Sequence, residues 1–562
     1  MKRKTLAKIA ALLLIVATNR NSMPVKEKGF SVVLQPIGRR VAVREDATML
    51  QATQAGGVEL QAVCGGNGTC GHCRVRLVTG QLSATTAEEC DQLDDKAVRE
   101  GWRLACQASA LSDVVISIPS GSLTCEQRVQ LESEETRIEV EPETMVADHG
   151  ETPIGLAVDL GTTKLAGYLV DLQTGGTIAQ HGLMNPQIAY GEDVISRISY
   201  AGKSEEHRRR LREVVFDGIN KLTDVLCSTA SISRESIMCA VIAGNTAMHH
   251  LLTGLAVEQL GKAPYAPASL RAAEVNASEL GLRLNDSAIV YTPPNIAGYV
   301  GGDHVAMLLG IDIRRCKAPT LAIDIGTNTE LTLKVDGRLF TCSCASGPAF
   351  EGAHIHQGMR AAPGAIERVL LHEGSIQYYT IDRRPTCGIC GSGILDAIAV
   401  LLDVNALDAR GNFKKDAPGV RVRHGNPEFV LAAAQSTAEA TEVVLSRQDI
   451  CEIQLAKAAI RAGIDILLEA GGVEAGALKS FVIAGAFGSY LEPRSAIRIG
   501  MLPDIPLERI QQVGNAVGLG ARQMLASRAK RWEAETLAAS VEYIELTNHP
   551  SFHGKFVKAM LF

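Results

Sequence analysis

Aromatic side chains make up only 4% of this 562-residue sequence, so Leu, Ile, Val and Ala must fill its cores. Long apolar runs are scarce as well. The most conspicuous, Ile9 to Ala17, has nine residues, whereas a membrane-crossing helix needs about 20, so no stable membrane anchor is expected. That run follows Lys2-Arg3-Lys4 and has the length of a signal-peptide core. No small-x-small cleavage site stands between Thr18 and Ser22, however, and residues 1–28 read as an N-terminal extension. A basic excess is missing: 56 Lys+Arg against 62 Asp+Glu give a net charge of −6, which offers nucleic acid no broad attractive field. Fourteen cysteines are few for this length and unevenly placed, gathering between Cys64 and Cys106 and then at Cys342/Cys344 and Cys387/Cys390. Small secreted disulfide scaffolds are far denser. Thiolate ligands in a cytoplasmic protein fit better.

At about 150 residues per domain the length implies roughly three or four units. From Phe30 to Val43 two β-rich runs flank Pro36-Ile37-Gly38 and predict a hairpin. An amphipathic stretch at Met49 to Ala55 leads into a glycine-rich loop, and Arg74 to Val78 and Val114 to Ile118 predict further strands, closing a small α+β unit over 29–120. Residues 121–152 carry Glu126, Glu132, Glu134, Glu135, Glu141, Glu143, Asp148 and Glu151 against Arg128 and Arg137. Such a segment buries little apolar surface and reads as an acidic, solvated linker.

Beyond it the chain echoes itself. Val158-Asp159-Leu160-Gly161-Thr162-Thr163 and Ile323-Asp324-Ile325-Gly326-Thr327-Asn328 each join an apolar run to a second β-rich run through a tight glycine turn. Two related lobes are expected, 153–315 as a first lobe or middle domain and 316–562 as a second. Leu211, Val215, Ile219, Leu222 and Leu226 fall on one face of a helix from Ser204 to Leu226. Ser446-x-x-Asp449 has the form of a helix start before Ile450 to Leu468, with Gly471-Gly472 as its stop. Alternating strands and helices make this part α/β.

The strongest chemical signal is Cys64-Gly65-Gly66-Asn67-Gly68-Thr69-Cys70-Gly71-His72-Cys73, with Cys106 33 positions on. Four thiolates can hold one [2Fe–2S] cluster, and the glycines allow a loop of positive-φ residues whose amides donate to cluster sulfur. Zinc usually takes two C-x2-C knuckles, and only Cys70/Cys73 forms one here. The spacing departs from the plant-type C-x4-C-x2-C and resembles the C-x5-C-x2-C of hydroxylase-type ferredoxins, which implies a β-grasp domain with Cys64, Cys70, Cys73 and Cys106 as ligands. Cys90 and Cys125 read as ordinary thiols and His72 as a polar loop residue.

An Asp-x-Gly-Thr turn between strands sets a carboxylate beside backbone N–H groups and hydroxyls, a geometry that can hold phosphate and hydrated Mg2+ together. One copy is weak evidence; two facing copies can clamp a polyphosphate. A third element, Phe481-Val482-Ile483-Ala484-Gly485-Ala486-Phe487-Gly488-Ser489, runs an apolar strand into a small-residue turn that permits close approach of a base or ribose. These three motifs, in order, resemble the phosphate-1, phosphate-2 and adenosine motifs of the actin/sugar-kinase/Hsp70 (ASKHA, RNase H-like) ATPases. The resemblance implies that Asp159 and Asp324 manage Mg2+ and water. It also implies that Gly161, Thr162, Thr163, Gly326, Thr327 and Asn328 cradle phosphate and that Gly485, Ala486 and Gly488 line the adenosine.

A ferredoxin unit, an acidic linker and such a two-lobed ATPase together resemble the reductive activators of corrinoid-dependent methyltransferase systems, from about Phe30 to Phe562. The supporting segments are the cysteine loop, Asn185-Pro-Gln-Ile-Ala-Tyr-Gly-Glu-Asp-Val-Ile-Ser-Arg197, Ala243-Gly-Asn-Thr-Ala247, Ser346-Gly-Pro-Ala-Phe-Glu-Gly352 and Cys387-Gly-Ile-Cys-Gly-Ser-Gly393. The family implies ATP-dependent return of inactive Co(II) to Co(I) on a corrinoid protein partner in a methyltransferase or O-demethylase system. One electron from a [2Fe–2S] cluster is used, with a separate electron donor and homodimerisation. An uphill gap of roughly 200 mV for one electron corresponds to about 4.7 kcal/mol, which nucleotide-driven binding and release can offset. Two other readings are a small-molecule kinase with an attached ferredoxin unit and a redox-sensing nucleotide switch. Cys387/Cys390 reads as phosphate-side packing, with redox or metal use as the alternative. His249-His250 reads as helix surface, and Glu192 and Asp193 as a helix start or as acids that activate water.

Overall fold

The computed structural model describes residues 29–56, 73–119, 138–141, 153–191, 193–352, 354–437, 442–485 and 487–562, with Val58, Leu60, Gly68, Gly71 and Ser122. The N-terminal extension, Cys64, Cys70, His72, Cys125, Glu192 and Ala486 lie outside the described residues.

The first sheet has strands β1 (Gly29–Gln35), β2 (Arg39–Arg44), β3 (Arg74–Thr79), β4 (Trp102–Leu104) and β5 (Val114–Ser117) in the order β2-β1-β5-β3-β4. β1 and β5 run parallel and the other neighbours antiparallel. The expected hairpin forms, and helix Met49–Ala55 begins with a reciprocal cap between Thr48 and Gln51. Met49, Leu50 and Ala52 from that helix are buried with Val32, Leu34, Leu104 and Ile116. This mixed sheet, with that helix packed on it and the short helices Ala87–Gln92 and Asp95–Arg99 between β3 and β4, is the expected α+β unit.

The second sheet comprises β6 (Ile154–Leu160), β7 (Lys164–Asp171), β8 (Thr177–Met184), β9 (Ile237–Gly244), β10 (Ala273–Asn276) and β11 (Ile289–Thr292), ordered β10-β11-β9-β6-β7-β8. The third brings together β12 (Thr320–Ile325), β13 (Thr329–Val335) and β14 (Arg338–Cys344) with three strands from further along the chain. Between these groups in sequence, β15 (Ala365–His372), β16 (Ser375–Thr380) and β17 (Gly388–Ile389) form one small sheet. Strands β18 (Val420–Arg423), β19 (Asn426–Ala432) and β20 (Val443–Ser446) form another. With β21 (Ser480–Ala484), β22 (Ile510–Gln512) and β23 (Val541–Tyr543) the third sheet reads β22-β21-β12-β13-β14-β23.

The echo in sequence is an echo in topology. β6-β7-β8 and β12-β13-β14 are both antiparallel meanders, and the first strand of each has a later strand, β9 or β21, parallel on its other side. Helices Gly302–Gly310 and Ala516–Ala526 lie between these two sheets, in one core with Ala157, Tyr168, Ala322 and Val482. They cross closely because Gly520 faces the Ala306 carbonyl, where an added Cβ would sit 1.9 Å from the oxygen. Helix Glu205–Ala230 turns its predicted apolar face inward, and helix Arg447–Gly471 starts with the Ser446/Asp449 capping box and ends at left-handed Gly472.

Two readings need correction. Residues 138–141 of the acidic stretch are packed rather than solvated: Ile138 is buried and donates to the Gly175 carbonyl at 3.1 Å. The Glu141 carboxylate accepts from the Arg528 and Ala529 amides at the start of helix Arg528–Ser540, where an anion is favoured. His249 and His250, expected on a helix surface, are buried in helix Thr246–Thr253, and His250 Nε2 accepts from the Ala268 amide at 2.9 Å. Among the described residues no helix is long and apolar enough to cross a membrane.

Candidate functional site

Asp159 and Asp324 occupy equivalent places, each one residue before the end of the central strand of its sheet. The turns that follow face one another across a cleft of about 250 Å3. Asp159, Gly161, Thr162, Thr163, Asp324, Gly326, Thr327, Asn328 and Gly485 all line this cleft. Gly488 does not; it backs the turn, against the Ala484 carbonyl.

The first turn is held from behind by the segment between Asn185 and Arg197. Asn185 donates through its side chain to the Gly161 carbonyl at 2.8 Å and through its amide to the Thr163 carbonyl at 2.9 Å. Arg197 Nη2 donates to the Thr162 carbonyl, while its Nε reaches the Gly191 carbonyl at 3.0 Å. All three turn carbonyls are therefore engaged by protein donors, which fixes the turn. Arg197 is wholly buried, and burial, opposed by the Asp193 and Glu351 charges, pushes its pKa down to about 9. It stays charged at neutral pH. Asn245, from the Gly-Asn-Thr segment, caps its helix through Oδ1 and donates to Thr162 Oγ1 at 3.0 Å. The second turn is braced by Ser346, whose Oγ lies 2.8 Å from Thr329 Oγ1.

Four of the acids lining the cleft, Asp159, Asp303, Asp324 and Glu330, form one mutually repelling group. Glu330 pairs with Asp324 across β12 and β13, and Asp303 opens helix Gly302–Gly310. Burial, reinforced by the Asp303 and Asp324 charges, raises Asp159 to about 8; Asn515 Nδ2, 3.0 Å from Asp159 Oδ2, acts the other way. Burial and the Asp324 charge bring Asp303 to about 7, and burial alone brings Asp324 to about 6. Glu330 is likewise raised by burial and by its two acidic neighbours. Buried carboxylates that repel one another suit a cation. Among the described residues no three His, Cys, Asp or Glu side chains converge as direct ligands. The arrangement suits Mg2+, which keeps several waters and meets one or two carboxylates plus phosphate.

Glu351 behaves differently. Its oxygens lie 2.9 and 3.1 Å from Thr163 Oγ1, and it also accepts from Thr327 Oγ1 and from Arg360 Nε at 3.1 Å. Burial raises its pKa, but the Arg360 charge and the two hydroxyls outweigh that, so it is lowered overall.

The third wall comes from Gly485, Phe487 and Tyr490. Phe487 stacks on Phe350 with ring centroids 5.3 Å apart and planes 19° apart, a flat apolar surface of the kind a base packs against. Cys390, Gly391 and Ser392 bring the start of the 13-residue helix Gly391–Asp403 to the same cleft, where the helix dipole favours anions. The Cys390 thiol lies 3.3 Å from the Ile366 carbonyl and burial raises its pKa, so it is a protonated packing group.

At the other site, Cys73 and Cys106 are both buried, with Sγ atoms 3.4 Å apart, and Gln107 Nε2 lies 3.5 Å from Cys106 Sγ. That is far beyond a disulfide bond of about 2.05 Å and near the roughly 3.8 Å between two sulfurs on one tetrahedral metal with bonds of about 2.3 Å. Gly68 and Gly71 have φ of 75° and 69°, as a ligand loop requires. The thiols fit an iron–sulfur group.

Asp303, Glu330, Asn515 and Arg360 were not predicted. Gly301-Gly302 before Asp303 and Gly514 before Asn515 are the only local signals, since both acquire meaning through contacts with distant strands.

Residues 32–111 match the 2Fe-2S iron-sulfur cluster binding domain family. Residues 154–316 match the RACo middle region, and 318–562 match the C-terminal domain of RACo, the ASKHA domain. The chain is 36% identical over 422 residues to the corrinoid activation enzyme RamQ of Eubacterium limosum, covering 73% of this chain and 71% of that protein. It is 26% identical over 410 residues to the [Co(II) methylated amine-specific corrinoid protein] reductase of Methanosarcina barkeri, covering 67% and 70%. A solved reductive activator for corrinoid, iron-sulfur protein superposes with a TM-score of 0.68 at 33% identity, covering 95% of this chain and 98% of that one. With an iron–sulfur domain, a middle region and an ASKHA domain in this order, the chain belongs to the RACo family of reductive corrinoid activators.

Proposed function

We propose that this chain returns the Co(II) form of a corrinoid protein to Co(I), passing one electron from a [2Fe–2S] cluster while ATP is turned over in the cleft. What carries this reading is the presence of both halves in one chain. Two thiols converge to 3.4 Å at the rim of the first sheet, and two Gly-Thr turns approach closely enough for Thr163 and Thr327 to share the Glu351 carboxylate.

Cys73 and Cys106, completed by Cys64 and Cys70, would hold the cluster, which supplies single-electron chemistry when bound. In the cleft, Asp159 and Asp324 take the hydrated Mg2+, with Asp303 and Glu330 adding negative field. Thr162, Thr163, Thr327 and Asn328 hold phosphate oxygens, and Gly485 with the Phe350/Phe487 pair accepts the adenosine, to which the sequence adds Ala486. The attacking group is water, so phosphate is released and no phosphorylated product accumulates. The electron taken up by cobalt is replaced from a separate donor, one for one. A homodimer in the cytoplasm, with the ferredoxin unit at 29–120 and lobes at 153–315 and 316–562, completes the reading.

The test is anaerobic mixing of the reduced holoprotein with Mg2+-ATP and a Co(II) corrinoid protein. A Co(I) absorbance band should grow only when ATP is present, with phosphate released to water. Failure of ATP to increase Co(I) across a panel of corrinoid proteins overturns it.

A further inference from the structure

The cluster-bearing unit is seated on the rim of the cleft, and the seat shares a residue with the phosphate turns. The hairpin turn between β1 and β2 meets Arg360, whose Nη1 donates to the Pro36 carbonyl. Gly38 leaves room for this guanidinium: a Cβ there would lie 2.9 Å from Nη1. From the same turn Arg39 Nη1 donates to the Cys387 carbonyl at 2.9 Å, three residues before Cys390 reaches the cleft. On its other side, strand β5 approaches Pro186–Tyr190, part of the segment that braces the first turn. The unit thus touches both lobes at the cleft mouth.

Arg360 is the shared residue. Its Nε holds Glu351 while its Nη1 holds Pro36, and its side chain is only 5% exposed. Glu351 in turn accepts from the hydroxyls of Thr163 and Thr327, one from each phosphate turn. A threonine hydroxyl carries one proton, so a phosphate oxygen and the Glu351 carboxylate compete for the same two donors. Two anions in one dry site also repel.

We propose that Glu351 and Arg360 form a latch: phosphate binding at Thr163 and Thr327 displaces Glu351, and Arg360, a rigid planar fork serving both partners, lets go of Pro36 and unseats the cluster unit. The inference rests on the cleft's being a nucleotide site, and it says what the nucleotide does there beyond being turned over. A buried guanidinium cannot lose its counter-charge and keep its place, so it moves with Glu351 or toward the phosphate. Coupling of this kind is reciprocal: if nucleotide loosens the seat, loosening the seat tightens nucleotide.

Arg39 tests it, because it belongs to the seat and lies outside the cleft. The full-length holoprotein, its Arg39→Ala variant and an Arg40→Ala control at the exposed neighbouring arginine are titrated with a fluorescent non-hydrolysable ATP analogue and Mg2+. Hydrogen exchange of residues 35–44 is followed in parallel. The latch requires wild-type exchange in that segment to rise on binding. It also requires Arg39→Ala to bind the analogue more tightly, on the order of fivefold for the loss of the hydrogen bond to the Cys387 carbonyl, with Arg40→Ala behaving as wild type. If the wild type binds the analogue but either the rise in exchange or the gain in affinity is missing, the latch is overturned while the nucleotide site stands. If the wild type binds no analogue, the cleft assignment falls and the latch with it.

Discussion

The α-carbon of Gly485 faces the carboxylate of Asp324 so closely that a Cβ added to it would lie 2.5 Å from Oδ1. Gly485 also has a φ of +87°, which side-chain-bearing residues rarely adopt. The third motif of the cleft is thereby built around the acid of the second. Gly485→Ala should displace Asp324 while leaving the sheets intact, and a shift of about 1 Å in a reacting group can cost about 100-fold. ATP turnover in this variant should fall by one to two orders of magnitude, with unchanged far-UV circular dichroism. Wild-type turnover would place Asp324 outside the chemistry.

Asp324→Ala removes the carboxylate itself. Steady-state phosphate release should fall by about 100-fold or more, as when a principal charged group is lost from a catalytic site. The visible and electron paramagnetic spectra of the reduced cluster should not change. Unaltered phosphate release would refute the proposed role of this residue.

Arg197 is buried and bonds the Thr162 and Gly191 carbonyls and Gln187 Oε1. Arg197→Met fills much of the same volume but leaves the Thr162 and Gly191 carbonyls without their side-chain donor, while Gln187 Oε1 keeps Asn185 Nδ2, at about 1–3 kcal/mol for each acceptor left dry. Both the urea midpoint and nucleotide affinity should drop, because the turn at Gly161, Thr162 and Thr163 loses its brace. A stability loss with full nucleotide affinity would separate the brace from the site.

Cys106→Ser should abolish the charge-transfer bands after anaerobic reconstitution and end Co(II) reduction. Phosphate release should persist, since among the described residues none that lines the cleft comes from the first sheet. Bands of wild-type intensity would exclude Cys106 as a ligand.

His304 and His249 give a pH signature. Burial pushes His304 down to about 3; burial and the His250 charge push His249 down to about 4. An unfolded histidine titrates near about 6.5. Above that value both states are neutral and stability does not respond to these residues. Below it the unfolded chain takes up protons the folded chain refuses, so stability falls by up to about 1.4 kcal/mol per pH unit for each histidine until the folded value is reached. Urea midpoints at pH 7.5 and 5.5 should show this loss, and His304→Gln, which keeps a polar group beside Thr332 Oγ1, should show a shallower one. An equal slope in the variant would mean that His304 is not the source.

Much of this protein was legible in its sequence because the relevant physics is local. A glycine turn between apolar runs specifies strand, turn and strand; Ser446 and Asp449 specify a helix start; and cysteines six and three apart specify a ligand loop. Those features pointed to Asp159, Asp324 and both Gly-Thr turns, which the structure brings to one cleft, and to Cys73, which it sets beside Cys106. Only the tertiary structure decided what surrounds them. Asn515 meets Asp159, and Glu351 joins Thr163 to Thr327, across separations of 356, 188 and 24 positions. The packing of Ile138 and the burial of His249 and His250 likewise depend on distant surfaces. A residue's type and near neighbours fix its conformational preferences, but the dielectric around a carboxylate and the partner of a buried guanidinium are set by whichever strands and helices pack against it, and that is known only once the chain has closed on itself.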